Sequence, residues 1–275
     1  MLHFASVILI ISKQSLRHLL LICTSVIMLS FLFLWPTTKT YPLHNYIIAI
    51  DPGHGGTDTG SSHAGYTEKE LTLLLSDALA KQLKKDGAIP VLTRTTDTDL
   101  WDQVSVEEEI EFTKEEYEQN KQLERYTHPL DRYIALGTRT PPRYRLGLRA
   151  RLLIARQNTA DVLISLHTNH YRSEAAQGAV TLYQANSVKS KLLAQAIQKY
   201  LGPLLPGRSE PGYIPDNFFI LRNSDVTAVI VEIGFISNIH DRNYLLSEEG
   251  RQAIVLAISD GLQEYFTSLD KKDIY

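Results

Sequence analysis

Four side chains that can carry acid–base or metal chemistry stand where the sequence predicts strands and helices to begin or end. His54 lies in a glycine-rich turn, and His167 ends an apolar run. Glu68 opens a predicted helix, and Glu232 interrupts the apolar run 228–233. A carboxylate within such a run is costly to bury unless it is paired or bound to a metal. Glu232 is therefore the most informative single residue of the chain.

The two histidines and one of the carboxylates form a donor set that suits a catalytic zinc ion. Such a site uses three nitrogen or oxygen ligands and leaves one position open for water. His54 and His167 are the natural nitrogen ligands, and Glu68 suits the third position because a helix N-terminus favours negative charge. Taken singly, each residue has a structural explanation as a turn, helix-start or strand-end residue. Their convergence at one edge predicts a single Zn²⁺ site.

These residues require a scaffold of alternating strands and helices. Predicted strands cover 46–51, 88–94, 161–167, 178–183 and 228–233, and predicted helices cover 68–86, 146–158, 187–201 and 248–266. This alternation predicts a single three-layer α/β domain, with a mostly parallel sheet and helices on both faces. Ligands of such sheets bind outside the carboxyl ends of the strands. His54, His167 and Glu232 fall at or near those ends, and Glu68 opens the helix that follows the first strand.

The predicted catalytic domain covers residues 46–268, and the flanking segments differ from it in composition. Residues 19–35 are uncharged and would form a helix of roughly 25 Å, near the lower limit for crossing a bilayer. Basic residues precede this run, which predicts a cytoplasmic N-terminus (1–18), a single transmembrane anchor and an extracytoplasmic domain. A cleaved signal peptide is the alternative, although small cleavage-site residues are missing after the run. A linker (36–45) and a tail (269–275) complete the chain.

Residues 100–144 interrupt the alternation with an acidic insert. Between positions 102 and 125, nine acidic residues stand against three basic ones. Such a block is usually a solvated helix or a mobile loop. The alternative is an acidic lid, or an arm that docks a regulatory partner.

Composition excludes several other classes of protein. Twenty-eight Lys and Arg against 31 Asp and Glu leave a formal charge of −3, so the chain has no global basic field to bind nucleic acid. The lone cysteine, Cys23, excludes an intramolecular disulfide framework and a cysteine-based zinc cage.

The sequence resembles the zinc-dependent N-acetylmuramoyl-L-alanine amidases over about residues 46–266. The resemblance rests on six motifs in order: IAIDPGHGG at 48–56, EKELTL at 68–73, LTR at 92–94, LRAR at 148–151, ISLHTN at 164–169 and IVEIGFISN at 230–238. It implies a peptidoglycan hydrolase that cleaves the amide bond between N-acetylmuramic acid and L-alanine. By this likeness His54, Glu68 and His167 hold the zinc ion and Glu232 is catalytic.

The expected mechanism follows from zinc chemistry. The metal would supply hydroxide near neutral pH and polarise the scissile carbonyl, while Glu232 would take the proton of the attacking water and pass it to the leaving amine. Three further residues are substrate-binding or supporting candidates: Asp51 could orient His54, Arg94 could hold a substrate carboxylate or shape the fold, and Asn169 follows His167.

Two alternative functions remain open at this point. One is a catalytically silent protein that binds or activates at the cell wall, and the other is a zinc peptidase or deacetylase of the wall. Within the family, the anchor and the compact length resemble the germination amidases that act on spore cortex. The implied location is the cell membrane, with the catalytic domain on the wall side.

Overall fold

The computed structural model describes residues 41–123, 125, 127–184, 186–207, 212–214 and 218–270, together with Arg17 and Thr24. The chain divides into two compact units, Met1–Thr40 and Tyr41–Tyr275, and the fold below is that of the second. Apart from Arg17 and Thr24, the predicted cytoplasmic segment and transmembrane anchor lie outside the described residues, as do residues 271–275 of the predicted tail. Within the described part of the chain, no helix is long and apolar enough to cross a membrane.

A six-stranded sheet forms the centre of the domain. Its strands are β1 (Ile47–Pro52), β4 (Ile89–Leu92), β5 (Val162–Asn169), β6 (Val180–Gln184), β7 (Gly212–Ile214) and β8 (Thr227–Phe235). Their order across the sheet is β4-β1-β5-β8-β6-β7. Strands β4, β1, β5 and β8 are parallel, whereas β6 is antiparallel to β8 and parallel to β7. The predicted mostly parallel sheet is confirmed, and two strands at one edge run the other way. A small hairpin, β2 (Ser62–His63) and β3 (Tyr66–Thr67), stands apart.

Helices cover both faces of the sheet. They are α1 (Glu68–Lys85), α2 (Val106–Gln122), α3 (Pro129–Ala135), α4 (Arg143–Gln157), α5 (Val188–Leu201), α6 (Phe219–Arg222), α7 (Ile239–Leu246) and α8 (Glu248–Asp270). Alternate residues of β1 face opposite cores: Ile48 and Ile50 pack with α1, α5 and α8, and Ala49 packs with α4 and α6. This two-sided burial explains the continuous apolar strands and confirms the three-layer architecture.

The strand register gathers the polar strand ends at one edge. Strand β5 pairs with β1 through Ser165 opposite Asp51, and with β8 through His167 opposite Glu232. The turn after β1 is tied to helix α1, because the Thr72 hydroxyl donates to the Gly53 carbonyl at 2.9 Å. The turn, the end of β5 and the last part of β8 therefore meet.

The acidic insert is a helical arm with one buried face, and so it is not a wholly solvated helix. Glu109 of α2 is fully buried and accepts hydrogen bonds from Nε of Arg145 and Nε of Arg149, each at 2.7 Å. Arg149 also pairs with Glu116 at 2.6 and 2.9 Å, and Arg145 pairs with Asp131 of α3 at 2.5 Å. We call these five residues the insert clamp. It fixes both insert helices to α4, while most acidic side chains of α2 remain exposed.

Candidate metal centre

The turn after β1 brings two imidazoles face to edge. His54 has a positive φ of 63°, an uncommon conformation for a residue with a side chain and one that concentrates at functional sites. A Cβ at Gly53 would lie 2.4 Å from Cε1 of His167, so only glycine allows that ring its present position. The centroids of the His54 and His167 rings are 4.9 Å apart, with an interplanar angle of 82°.

Three donor side chains converge beside this turn. Nε2 of His54 and Nδ1 of His167 lie 3.1 and 3.0 Å from the same oxygen, Oε1 of Glu68. Backbone N–H groups of Thr168 and Ser61 hold the two oxygens of Glu68, each at 2.9 Å. The structure therefore brings together the three residues that the sequence proposed as ligands. Among the described residues, these three side chains are the group whose ligand atoms lie close enough together to hold a metal ion.

The donor set fits a zinc ion in chemistry and in spacing. Tetrahedral bonds of about 2.0–2.1 Å place ligand atoms roughly 3.3 Å apart. The two imidazole nitrogens lie 3.1 and 3.0 Å from Oε1 of Glu68. Both distances are within a few tenths of an ångström of the tetrahedral separation. Two nitrogens and one oxygen are also the kind of set that leaves a fourth position for water or substrate.

The charges of the cluster are strongly coupled. Burial alone would lower the pKa of His54, but hydrogen bonds with Asp58 and Glu68 raise it to about 9. Burial alone would raise the pKa of Glu68, but hydrogen bonds from His167 and His54 hold it well below its ordinary value. Glu68 is therefore a stable anion that attracts positive charge, whether protons or a metal cation.

Asp58 is a supporting residue that the sequence analysis missed. Its Oδ2 lies 2.8 Å from Nδ1 of His54, and its Oδ1 accepts the N–H of Gly60 at 3.1 Å. A carboxylate on Nδ1 fixes the tautomer and the orientation of a ligand histidine. The only signal in the sequence was an acidic residue four positions after His54, in the same turn. That separation does not reveal the loop geometry that brings the two side chains into contact.

Glu232 stands beside the cluster on the neighbouring strand, in register with His167. Its Oε2 is buried and has no hydrogen-bond partner among the described residues. Burial raises the pKa of Glu232, an effect that the nearby His167 opposes and the Glu68 carboxylate strengthens. An unsatisfied carboxyl oxygen with a raised pKa is suited to accept and hold a proton.

Asp51 supports His54 indirectly, through Arg151. The carboxylate that contacts the His54 imidazole is that of Asp58. Asp51 is buried, forms an ion pair with Arg151, and accepts the hydroxyls of Thr93 and Ser165 at 2.6 Å each. Burial would raise the pKa of Asp51, but Arg151 and the two hydroxyls hold it below its ordinary value. Arg151 in turn donates to the His54 carbonyl at 2.6 Å, which fixes the backbone of the turn.

The other two supporting candidates are engaged with the backbone. Arg94 is buried and donates to the carbonyls of Pro52 and Gly53 at 3.0 and 2.9 Å, and burial lowers its pKa to about 10. Oδ1 of Asn169 accepts the N–H of His170 at 2.9 Å. The contacts of both side chains are thus those of residues that shape the site.

A cavity of about 240 Å³ opens beside the cluster. His54 and His167 line it. Trp101, Arg143 and Tyr144, at the two junctions of the acidic insert, line it as well. The cavity therefore joins the donor cluster to side chains contributed by the insert junctions.

Comparison with known proteins identifies the family of the chain. The family model described as N-acetylmuramoyl-L-alanine amidase matches residues 48–264. The germination-specific N-acetylmuramoyl-L-alanine amidase of Bacillus subtilis (strain 168) is 25% identical over 227 residues, which cover 82% of each chain. The probable cell wall amidase LytH of Staphylococcus epidermidis is 31% identical over 234 residues, or 82% of this chain and 60% of that protein.

A solved structure shows the same fold. The CwlD amidase from Clostridioides difficile, in complex with the GerS lipoprotein, superposes with a TM-score of 0.63 at 24% identity. The match covers 82% of this chain and all of that chain.

Proposed function

Because the chain belongs to the N-acetylmuramoyl-L-alanine amidase family, we propose that the strand-edge cluster within residues 46–268 is its catalytic centre. The protein is an enzyme that hydrolyses the amide bond between N-acetylmuramic acid and L-alanine in peptidoglycan. One observation carries the assignment of the site: two imidazole nitrogens converge on the same oxygen of Glu68, at 3.1 and 3.0 Å.

In this proposal His54, Glu68 and His167 would hold one zinc ion. When bound, zinc would lower the pKa of a water molecule to near neutrality and polarise the scissile carbonyl. Asp58 would hold the proton of His54 on Nδ1, which would leave the lone pair of Nε2 available as a metal ligand. Arg151 keeps the backbone of the turn in place through the His54 carbonyl.

Glu232 has the role of general base and then general acid. Its Oε2, which has no hydrogen-bond partner in the described part of the chain, accepts the proton of the attacking water. The same oxygen then donates that proton to the amine of L-alanine as the amide bond breaks. Positioned proton transfer of this kind contributes about 10² to 10⁴ to the rate.

Variants of Glu232 test this assignment directly. Glu232→Gln and Glu232→Ala should each retain one zinc ion per chain by metal analysis and lose at least about 100-fold in muropeptide cleavage. Glu249→Gln removes an exposed carboxylate of the same domain and serves as the control with wild-type activity. Appreciable cleavage by Glu232→Ala would overturn the assignment.

The products and a chelator separate the reaction classes. Mass analysis should find free lactoyl groups on muramic acid, whereas a peptidase would cut within the stem and a deacetylase would release acetate. A chelator should abolish the activity and added zinc should restore it. Activity that survives complete removal of zinc would exclude the metal from the mechanism.

We further propose that residues 19–35 anchor the enzyme in the cell membrane, with the catalytic domain on the wall side. The proposal rests on the uncharged run and the basic residues before it. Full-length protein should remain in the membrane fraction after a carbonate wash, with its N-terminus intact by mass spectrometry. A soluble form that begins after residue 35 would show a cleaved signal.

We propose that the enzyme acts on spore cortex, a choice of substrate that the type of bond cleaved does not determine. Support comes from the germination-specific relative, which is 25% identical to this chain. Purified enzyme should release more product from cortex peptidoglycan than from vegetative wall at equal muramic acid content. A preference for vegetative wall would refute this part of the proposal.

A regulatory partner at the acidic insert completes the proposal. The exposed glutamates of α2 would contact it, and neutralising Glu107, Glu111 and Glu118 together should impair wall cleavage in cells. The same variant should cleave soluble muropeptide as the wild type does. Wild-type activity of that variant in cells would refute a partner at this face.

A further inference from the structure

The cavity beside the metal cluster has lining residues that the proposed mechanism does not use. Two of them are in contact, since the guanidinium of Arg143 lies over the ring of Trp101, 4.5 Å from its centroid. Trp101 comes from the start of the acidic insert and Arg143 is the first residue of α4. Both line the same cavity as His54 and His167. A substrate whose scissile bond lies at the cluster can therefore reach this pair.

Arg143 is the cavity-lining guanidinium that is free to bind a ligand. Its side chain is exposed, and it has no acidic partner among the described residues. Arg151, the other arginine of the lining, is engaged by Asp51 and by the carbonyls of Pro52 and His54.

The acidic residues of the lining are already hydrogen-bonded. Asp99 accepts the hydroxyl of Thr57 at 2.8 Å and its N–H at 3.1 Å. Asp58 accepts from His54 and Gly60. Arg143 is therefore the basic side chain of the lining that lacks an acidic partner within the described part of the chain.

We propose that Arg143, supported by Trp101, is a specificity-determining residue that binds a free carboxylate on the stem peptide. The inference rests on the proposed function and names the part of the substrate that this pair of side chains binds. A guanidinium presents a planar fork of donors that matches a carboxylate, and stacking on an indole restricts its orientation.

The size of the cavity selects the peptide arm of the substrate. At about 240 Å³ it is somewhat smaller than the roughly 300 Å³ at which small-molecule pockets begin, a size that suits one or two amino-acid residues better than a disaccharide. L-alanine comes directly after the scissile bond, and the second stem residue follows it. The α-carboxylate of that second residue is the anion that we assign to Arg143.

A pair of muropeptides tests this assignment, one with a free α-carboxylate on the second stem residue and one with a carboxamide there. Arg143→Gln should lower kcat/KM about threefold to tenfold on the carboxylate substrate, mainly through KM, as expected of a partly exposed charged contact. It should leave kcat/KM unchanged on the carboxamide. Arg143→Lys should recover part of the loss, and high salt should reduce the difference.

Arg139→Gln is the matched control, since Arg139 is an exposed arginine of the insert that does not line this cavity. It should behave as the wild type on both substrates. Equal losses on both substrates in Arg143→Gln, or no loss on either, would overturn the carboxylate assignment. If the wild type releases free lactoyl muramic acid from neither substrate, the proposed function fails instead, and the two failures are distinguishable.

Discussion

Replacing Glu109 with glutamine tests whether buried charge fixes the insert to the catalytic domain. Glu109 is fully buried, and its two oxygens accept from Arg145 and Arg149 at 2.7 Å each. The substitution leaves two buried guanidinium groups with one acidic partner each, Asp131 and Glu116. Breaking a buried pair outright costs about 3–5 kcal/mol, and the surviving partners place the expected loss near the lower end, at about 3 kcal/mol.

Thermal and urea unfolding of the full chain measure this loss. For a domain of this size, each kcal/mol shifts Tm by about 2–4 °C, so Tm should fall by about 6–12 °C. Glu111→Gln makes the same change of charge at an exposed position of the same helix, and should change stability by no more than about 0.5 kcal/mol. The difference should persist in high salt, because buried pairs are poorly screened.

A double-mutant cycle isolates the contact. Glu109→Gln and Arg149→Gln together should destabilise the protein by less than the sum of the two single changes, since each removes the same pair. A loss below about 1 kcal/mol for Glu109→Gln, or additive single changes, would refute the view that this contact fixes the insert.

Three further predictions concern the metal cluster and its support. Gly53→Ala places a methyl group 2.4 Å from the His167 ring, so it should lower the affinity for zinc in a competition titration. Its unfolding in the absence of zinc should remain cooperative. An unchanged zinc affinity would contradict the close approach of Gly53 to this ring. Asp58→Asn should weaken zinc binding by about 10- to 100-fold, because His54 loses the carboxylate that fixes its tautomer, and an unchanged Kd would count against that role. The pKa of Asp51 is lowered in the folded protein, so its contribution to stability is present above about pH 4 and is lost as pH falls through the folded value. The gap in unfolding free energy between wild type and Asp51→Asn should therefore narrow below pH 4, and a gap independent of pH would exclude this linkage.

The main strands and helices could be predicted because their signals are local. Strand β1 was predicted at 46–51 and lies at Ile47–Pro52, and helix α1 was predicted at 68–86 and ends at Lys85. Apolar runs that end in proline or glycine, and one apolar helical stripe, suffice for these elements. Strand β7 has three residues and α6 has four, so neither is long enough to show a period.

The candidate ligands could be named together because parallel strands end at the same edge of a sheet. Their supporting contacts could not, because the partners are distant in sequence. Arg151 reaches Asp51 across 100 positions, and Arg145 reaches Glu109 across 36. Glu109 has the same residue type as its exposed neighbours on α2, so composition alone predicts a solvated block.

Helix α4 connects these distant contacts through its arginines. Arg145 and Arg149 are four residues apart, share one face and hold the insert. Arg143 reaches the cavity and Arg151 reaches the turn that carries His54. An insert that lifted as a lid would strip Glu109 from both clamp arginines, at a cost of at least the ~3 kcal/mol expected for Glu109→Gln. We therefore expect the resting insert to remain fixed to α4, and substrate selection to occur at the mouth of the cavity, beside Arg143.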